Sequence, residues 1–161
     1  MANKLKVLLV DDHALVRRGF RRMLEDEPSF QVVGEASDGL EAVQCAEKLE
    51  PDVIVMDCAL PQINGIEASR RILANRPETA ILMLSMHSED TLIRQAMEAG
   101  AKGYVLKNAM DLDLVSAIKK VAKGEIVLDP QLRLCLLAVI LDHRAARERL
   151  LLIELKRRHA P

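Results

Sequence analysis

The apolar positions along this chain follow two patterns, and each pattern predicts one kind of element. Short continuous apolar runs bounded by polar or turn-forming residues are typical of strands buried on both faces of a parallel sheet. Apolar residues spaced three and four apart are typical of amphipathic helices. The runs predict five strands, at residues 5–10, 31–36, 51–57, 80–85 and 103–107.

The segments between and after these strands predict five helices, at residues 14–25, 40–49, 65–75, 89–99 and 111–123. Pro28, Pro51 and Pro77 follow the first three, and Gly100 and Gly124 follow the last two. Proline cannot continue a helix, and glycine accepts the backbone conformation that commonly ends one. Strands that alternate with helices through short connections predict a (βα)5 doubly wound parallel sheet, an α/β fold.

Composition narrows the class of protein. The formal net charge is −1, from 23 Lys and Arg against 24 Asp and Glu, so no overall basic character indicates nucleic acid. The cysteines, Cys45, Cys58 and Cys135, are odd in number and lack metal-ligand spacing, which favours reduced thiols. The apolar runs are too short for a signal peptide core or a membrane span of about 18 residues. We therefore expect a cytoplasmic protein without membrane contact.

Candidate chemistry lies where the predicted strands end. Asp11 and Asp12 follow the first strand, Asp57 ends the third, Ser85 ends the fourth and Lys107 ends the fifth. Open α/β sheets bind ligands at this edge. Three acids gathered there repel one another unless a cation holds them, so the pattern indicates a hard divalent ion such as Mg²⁺.

Each of these residues alone has a simpler explanation. An acid after a strand is more often a helix N-cap, and Ser85 or Lys107 could be a turn hydroxyl or a solvated charge. Together they predict a small anion site, in which Asp11, Asp12 and Asp57 hold Mg²⁺ while Ser85 and Lys107 contact phosphoryl oxygens. Asp57 is then the nucleophile, because a carboxylate can attack phosphorus and form an aspartyl phosphate.

Four segments carry a resemblance to a known family: Val-Asp-Asp-His at 10–13, Val-Met-Asp-Cys-Ala-Leu-Pro at 55–61, Leu-Ser at 84–85 and Tyr-Val-Leu-Lys at 104–107. Together they resemble the receiver domain of bacterial two-component response regulators, over residues 4 to about 124. Residues 12–19, 64–68 and 99–104 are most similar to the NarL/FixJ subgroup. The resemblance implies a flavodoxin-like strand order of 2-1-3-4-5.

The resemblance also implies a role for each residue of the acidic site. Asp57 is the phosphoacceptor, Asp12 binds Mg²⁺ directly and Asp11 assists it. The backbone carbonyl of Ala59 completes the protein ligands. The phosphoryl group comes from a sensor histidine kinase or a phosphotransfer protein, and the chain is not an enzyme beyond autocatalytic phosphoacceptance and slow self-dephosphorylation.

Three further residues form the switch that the resemblance implies. Ser85 is the hydroxyl that turns toward the phosphoryl group, and Lys107 is the lysine paired with the phosphoacceptor. Tyr104 matches an aromatic position that moves between outward and inward rotamers. The added charge on Asp57 is expected to bias these residues between two arrangements and to repack the face that carries Tyr104.

The tail departs from the family pattern. Receivers of the NarL/FixJ subgroup are followed by a helix-turn-helix domain, but only 31 residues follow Pro130, fewer than the roughly 50 of a small domain. We therefore divide the chain into a receiver, residues 1–124, and a linker with a helical tail, residues 125–161, without a complete DNA-binding domain. Residues 132, 136, 139, 143, 146, 150 and 153 form a mostly apolar stripe at helical spacing.

Three explanations of the tail remain open. It could pack on the receiver or on a second copy, it could contact DNA through its net charge of +4 (seven basic against three acidic residues from 131 on), or it could be a truncated relic of a DNA-binding transcription factor. We expect a homodimer, formed through the face of the fourth and fifth helices or through the tail. Sequence-specific DNA binding is not expected, because charge alone does not read bases.

Other classes of protein could use similar residues. A haloacid-dehalogenase-type phosphatase also forms an aspartyl phosphate with Mg²⁺, but its nucleophile lies in an Asp-x-Asp pattern on the first strand, whereas Asp57 lies on the third. A nucleotide-binding domain would need a glycine-rich phosphate loop, and none follows any strand. The sequence therefore favours a phosphorylation-dependent switch protein.

Overall fold

The computed structural model describes residues 3–108 and 113–128, and beyond them only Glu148, Leu152, Leu155 and Arg157. The chain divides into two compact units, Met1–Asp129 and Pro130–Pro161. In the second unit the four described residues are exposed, and the predicted apolar stripe lies outside the described residues. No helix in the described ranges is long and apolar enough to cross a membrane.

Strands and helices alternate along the described part of the first unit. The strands are β1 (Leu5–Val10), β2 (Phe30–Ala36), β3 (Val53–Asp57), β4 (Ala80–Ser85), β5 (Gly103–Leu106) and β6 (Val127–Leu128). The helices are α1 (Ala14–Glu25), α2 (Gly39–Leu49), α3 (Gly65–Asn75), α4 (Asp90–Glu98) and α5 (Leu114–Ala122). Every strand pairing is parallel, in the order β2-β1-β3-β4-β5-β6. The predicted doubly wound sheet with the order 2-1-3-4-5 is confirmed.

Besides shifts of one or two residues at element ends, two details differ from the prediction. The sheet has a sixth strand, because Val127 and Leu128 pair with Gly103 and Tyr104 in the stretch predicted to be linker. Val127 and Leu128 are too few to show a periodic pattern in the sequence. They form a strand because they pair with β5. The last helix begins at Leu114 rather than at residue 111, since the side chain of Asp113 accepts a hydrogen bond from the Ser116 N–H and caps it. Residues 109–112 lie outside the described residues.

The core explains why the central strands contain almost only apolar residues. Every position of β3 and β4 is buried, because helices cover both faces of a doubly wound sheet. One core cluster joins these strands to β1 and α5, through Leu9, Val55, Leu82, Leu114 and Ile118 among others. In β3 and β4, polar groups can therefore be presented to solvent only where the strands end.

Candidate functional site

Strand register brings the predicted site residues to the same level of the sheet. Val10 pairs with Met56, so the next residues, Asp11 and Asp57, follow from neighbouring strands. Asp57 pairs with Leu84, which places Ser85 one step further along β4. Ser85 in turn pairs with Leu106, and Lys107 follows. Because all strands run the same way, four distant segments end at one edge.

Lys107 links two buried carboxylates at this edge. Its Nζ lies 2.7 Å from Asp11 Oδ2 and 2.9 Å from Asp57 Oδ2. The side chains of Asp11 and Asp57 are only 2% and 6% exposed, and that of Lys107 is 10% exposed. Since an unpaired buried charge is costly, one ammonium between two carboxylates stabilises this arrangement and fixes the separation of the two acids.

The environment shifts the pKa of both partners. Burial raises the pKa of Asp57 above its usual range, and the hydrogen bond with Lys107 opposes this shift. For Lys107, burial lowers the pKa, but the hydrogen bonds with Asp11 and Asp57 outweigh burial and leave the pKa raised. The lysine therefore stays protonated at neutral pH and supplies a fixed positive charge beside the Asp57 carboxyl group.

Asp12 completes an acidic cluster that fits a hard divalent cation. Ligand atoms of Asp11, Asp12, His13 and Asp57 all lie within 4.8 Å of one another. When ionised, the three carboxylates and Lys107 carry a net charge of about −2, which a divalent ion would neutralise. Carboxylate oxygens are the donors that Mg²⁺ prefers. The residues present therefore fit the predicted ion.

His13 and Ala59 contact the acids through their own polar groups. His13 Nδ1 lies 3.1 Å from Asp12 Oδ1 and 3.4 Å from Asp11 Oδ1. The Ala59 N–H donates to Asp57 Oδ1 at 3.2 Å. This bond orients the Asp57 carboxylate, while the contribution of the Ala59 carbonyl to cation binding stays a prediction.

Ser85 and Tyr104 bind the main-chain N–H and the carbonyl of one loop residue, His87. The His87 N–H donates to Ser85 Oγ at 3.0 Å, and the Tyr104 hydroxyl donates to the His87 carbonyl at 2.7 Å. Tyr104 is fully buried and Ser85 is 1% exposed, so Tyr104 occupies an inward position beneath the loop between β4 and α4. Burial also raises the pKa of Tyr104 to about 12.

A glycine lets α3 begin against the end of β3. A side-chain Cβ at Gly65 would lie 2.1 Å from the Asp57 carbonyl oxygen, well inside contact distance. The Gly65 N–H also donates to the Cys58 carbonyl at 2.9 Å, and the Asn64 side chain caps the helix by accepting from the Glu67 N–H. The loop after Asp57 is thus closed onto a helix start, which limits where Asp57 can lie.

Sequence reasoning missed two contributors to the site. The main chain of His87 links Ser85 to Tyr104, and no side-chain pattern marks a backbone contact of this kind. Arg17 donates to the Asp11 carbonyl from α1. The sequence signal for Arg17 was its position, five residues after Asp12 and in the first turn of α1. From there its side chain can reach back to the loop that carries Asp11.

Comparison with known proteins gives one consistent result. Residues 7–119 match the family described as the response regulator receiver domain. The chain is 46% identical over 121 residues to the response regulator UvrY of Escherichia coli K12, a match that covers 75% of this chain and 56% of that protein. It is 42% identical over 130 residues to the transcriptional regulatory protein DegU of Brevibacillus brevis, covering 80% and 55%. The chain thus spans about half the length of these curated relatives.

A solved structure is similar to this chain over nearly the whole of its own length. A two-component response regulator of the LuxR family from Aurantimonas superposes with a TM-score of 0.78 at 37% identity, covering 89% of this chain and 99% of that one. The likeness in sequence and in fold therefore extends across the strand ends that carry the acidic site.

Proposed function

Because the chain belongs to the response regulator receiver domain family, and its relatives are of the NarL/FixJ type, we propose that it accepts a phosphoryl group on Asp57 and changes conformation in response. The donor is a sensor histidine kinase or a phosphotransfer protein. The observation that carries this proposal is the buried pair of carboxylates, Asp11 and Asp57, bridged by Lys107 beside the more exposed Asp12.

The protein contributes to phosphoryl transfer mainly by positioning the reacting groups and by stabilising the charge on the phosphoryl oxygens. An oxygen of the ionised Asp57 carboxylate attacks phosphorus, a new P–O bond forms, and the bond from phosphorus to the donor breaks with its electron pair leaving on the donor. Lys107 already faces the Asp57 carboxyl group and offers its ammonium to the incoming oxygens. Asp11, Asp12, Asp57 and the Ala59 carbonyl would hold Mg²⁺, which supplies charge neutralisation at the phosphoryl group.

The route from Asp57 to the rest of the molecule passes through Ser85. Its hydroxyl accepts from the His87 N–H and retains a proton that it can donate to a phosphoryl oxygen. A shift of Ser85 toward Asp57 changes the support of the His87 peptide, whose carbonyl is bound to Tyr104. In this proposal, Ser85 and Tyr104 move as one two-state element together with the loop between them.

We further propose how the chain is organised and where it acts. Residues 1–124 carry the receiver function together with β6, which completes their sheet, and the tail follows from Pro130. We infer self-association through the face of α4 and α5 or through the tail, in the cytoplasm. The protein acts as a signalling component, with autocatalytic phosphoacceptance and slow self-dephosphorylation as its own chemistry.

The test is labelling by acetyl phosphate with Mg²⁺, followed by intact mass and by acid lability of the product. The wild type should gain a single phosphoryl group, and Asp57→Asn should gain none. Asp52→Asn is the matched control, because Asp52 lies just before the same strand at its opposite end, where its carboxylate accepts from the Lys6 N–H. Labelling of Asp57→Asn, full labelling in excess chelator, or steady turnover of p-nitrophenyl phosphate would contradict the proposal.

A further inference from the structure

Arg17 joins α1 to the main chain of the loop that carries Asp11 and Asp12. One terminal nitrogen donates to the Asp11 carbonyl oxygen at 2.7 Å, and its Nε donates to Glu35 Oε1 on β2 at 3.0 Å. The Arg17 and Glu35 side chains are 20% and 29% exposed. Because the two donors of the planar guanidinium point in fixed directions, bonds to these two acceptors together fix its plane.

Asp11 is held at each of its polar groups. Its N–H donates to the Ala36 carbonyl at 3.1 Å, and its carboxylate accepts from the His13 N–H at 2.8 Å and from Lys107 at 2.7 Å. The remaining group, the carbonyl oxygen, is bound by Arg17. That carbonyl belongs to the planar peptide that joins Asp11 to Asp12, so the Arg17 bond sets the direction in which the chain leaves toward Asp12.

We propose that Arg17 is a positioning residue for the cation site. Through the Asp11 carbonyl it holds the Asp11–Asp12 peptide so that both carboxylates face Asp57, and Glu35 holds Arg17 in turn. This inference rests on the proposed function, because the cation site is the one that serves phosphorylation of Asp57. Arg17 itself touches no reacting atom.

If Arg17 acted only through its charge, removing it would have the opposite effect on divalent-cation affinity from the one that positioning predicts. A positive group near a cation site repels the cation, so a neutral residue in its place should strengthen divalent binding. Loss of positioning should weaken binding instead. The sign of the change therefore distinguishes the two effects. Replacing Arg17 and Glu35 together leaves the net charge unchanged and isolates the geometric effect.

The chain offers a matched control one helical turn away. Arg21 pairs with the same Glu35, at 2.5 Å, and with Glu25 at 2.7 Å. The hydrogen bonds that the structure gives Arg21 go to these two carboxylates and not to the Asp11 carbonyl. Arg21→Gln therefore removes a comparable surface ion pair without removing the bond to the loop.

The first measurement is the affinity for Mn²⁺, followed by electron paramagnetic resonance, with Mg²⁺ as a competitor. Arg17→Gln and the double variant Arg17→Gln/Glu35→Gln should raise the Kd about three- to tenfold, the loss expected for one partly exposed charge-assisted hydrogen bond. Arg17→Lys should recover part of this loss, because a lysine can reach the carbonyl but cannot also hold Glu35 in a fork. Arg21→Gln should stay within about twofold of wild type.

A second measurement separates positioning from a general structural role. In acetyl phosphate labelling, Arg17→Gln should need more Mg²⁺ for half-maximal rate, by the same factor as its Kd, and should reach a near wild-type rate at saturating Mg²⁺. Unchanged or tighter Mn²⁺ binding in Arg17→Gln would overturn the inference, as would an equal loss in Arg21→Gln. If Arg17→Gln does not fold, Arg17→Lys and Glu35→Gln decide, and wild-type affinity in both overturns the inference.

The two proposals fail in distinguishable ways. Mn²⁺ binding requires no phosphoryl transfer, so weaker binding in Arg17→Gln supports the positioning role even if Asp57 accepts no phosphate. Conversely, full labelling of Asp57 with unchanged Mn²⁺ affinity in Arg17→Gln supports the proposed function and overturns the role of Arg17.

Discussion

The Tyr104 hydroxyl donates a 2.7 Å hydrogen bond to the main-chain carbonyl of His87. The N–H of the same His87 is bound to Ser85, so a residue at the end of β4 and a residue within β5 hold one loop residue from both sides. This relationship gives the loop between β4 and α4 a defined arrangement.

Replacing Tyr104 by phenylalanine should loosen this loop without blocking phosphorylation. The ring still fills its buried position, but the His87 carbonyl loses its partner, so the free energy of unfolding should fall by about 1 kcal/mol. Asp57 should still be labelled by acetyl phosphate, since the Tyr104 hydroxyl donates to the His87 carbonyl rather than to Asp57. Urea denaturation and intact mass test the two halves of this prediction, and an unlabelled Tyr104→Phe protein would contradict it.

Ionisation of Tyr104 should report the inward position directly. The chain has one tyrosine, so the tyrosinate absorbance has a single source. We expect a midpoint near the raised pKa of about 12, compared with the ordinary value of 10.0. A midpoint near 10 in the folded protein would mean that the hydroxyl is not buried.

The same shift predicts how alkali affects stability. The folded state holds this proton more tightly than the unfolded state, so the contribution of Tyr104 is fully present below pH 10 and is lost as the pH rises through about 12. The loss should amount to about 2 to 3 kcal/mol. The control is Tyr104→Phe over the same pH range, and the difference between the two proteins isolates this group from other alkaline titrations.

Replacing Lys107 by methionine should destabilise the folded state most at neutral to alkaline pH. Asp11 and Asp57 would lose their shared cation, at a cost of about 3 to 5 kcal/mol in the absence of divalent ions. Without the lysine the pKa of the buried Asp57 rises further, so the folded state binds a proton more tightly and stability falls as the pH rises. The loss should therefore be larger at pH 8 than at pH 5.

Urea denaturation in chelator and in Mg²⁺ tests this prediction. Mg²⁺ should stabilise Lys107→Met more than wild type, since a bound cation replaces the missing charge. Lys102→Met, at an exposed lysine just before β5, is the control and should show neither effect. Equal stability of Lys107→Met and wild type at pH 8 in chelator would contradict the arrangement.

Two glycine substitutions should act in opposite directions. Gly65→Ala places a methyl group against the Asp57 carbonyl oxygen, so stability should fall by about 1 to 3 kcal/mol and labelling of Asp57 should slow. Gly19→Ala, on the exposed side of α1 with nothing within 4 Å of the added carbon, should raise stability by about 0.5 to 1 kcal/mol. Thermal denaturation and labelling rates compare them, and normal labelling with unchanged stability in Gly65→Ala would refute the close approach.

The sequence by itself determined the layers of this protein and the edge at which its chemistry lies. Continuous apolar runs such as Ile54 to Met56 require burial on both faces, and helices with one apolar face can supply it. Once the strands are parallel, Asp57 and Lys107 must both follow strand ends at the same edge. These conclusions depend only on periodicity and on the order of elements, which are local properties of the chain.

Only the tertiary structure decided which atoms meet. Lys107 and Asp11 lie 96 positions apart in the sequence. Which acids Lys107 contacts depends on strand register rather than on residue type. The bonds from Arg17 and Tyr104 end on main-chain carbonyls, and every residue carries such a group, so no side-chain pattern distinguishes the one that is bound. The strand at Val127 and Leu128 likewise exists because β5 offers a free edge, since two residues have too little periodicity to specify a strand.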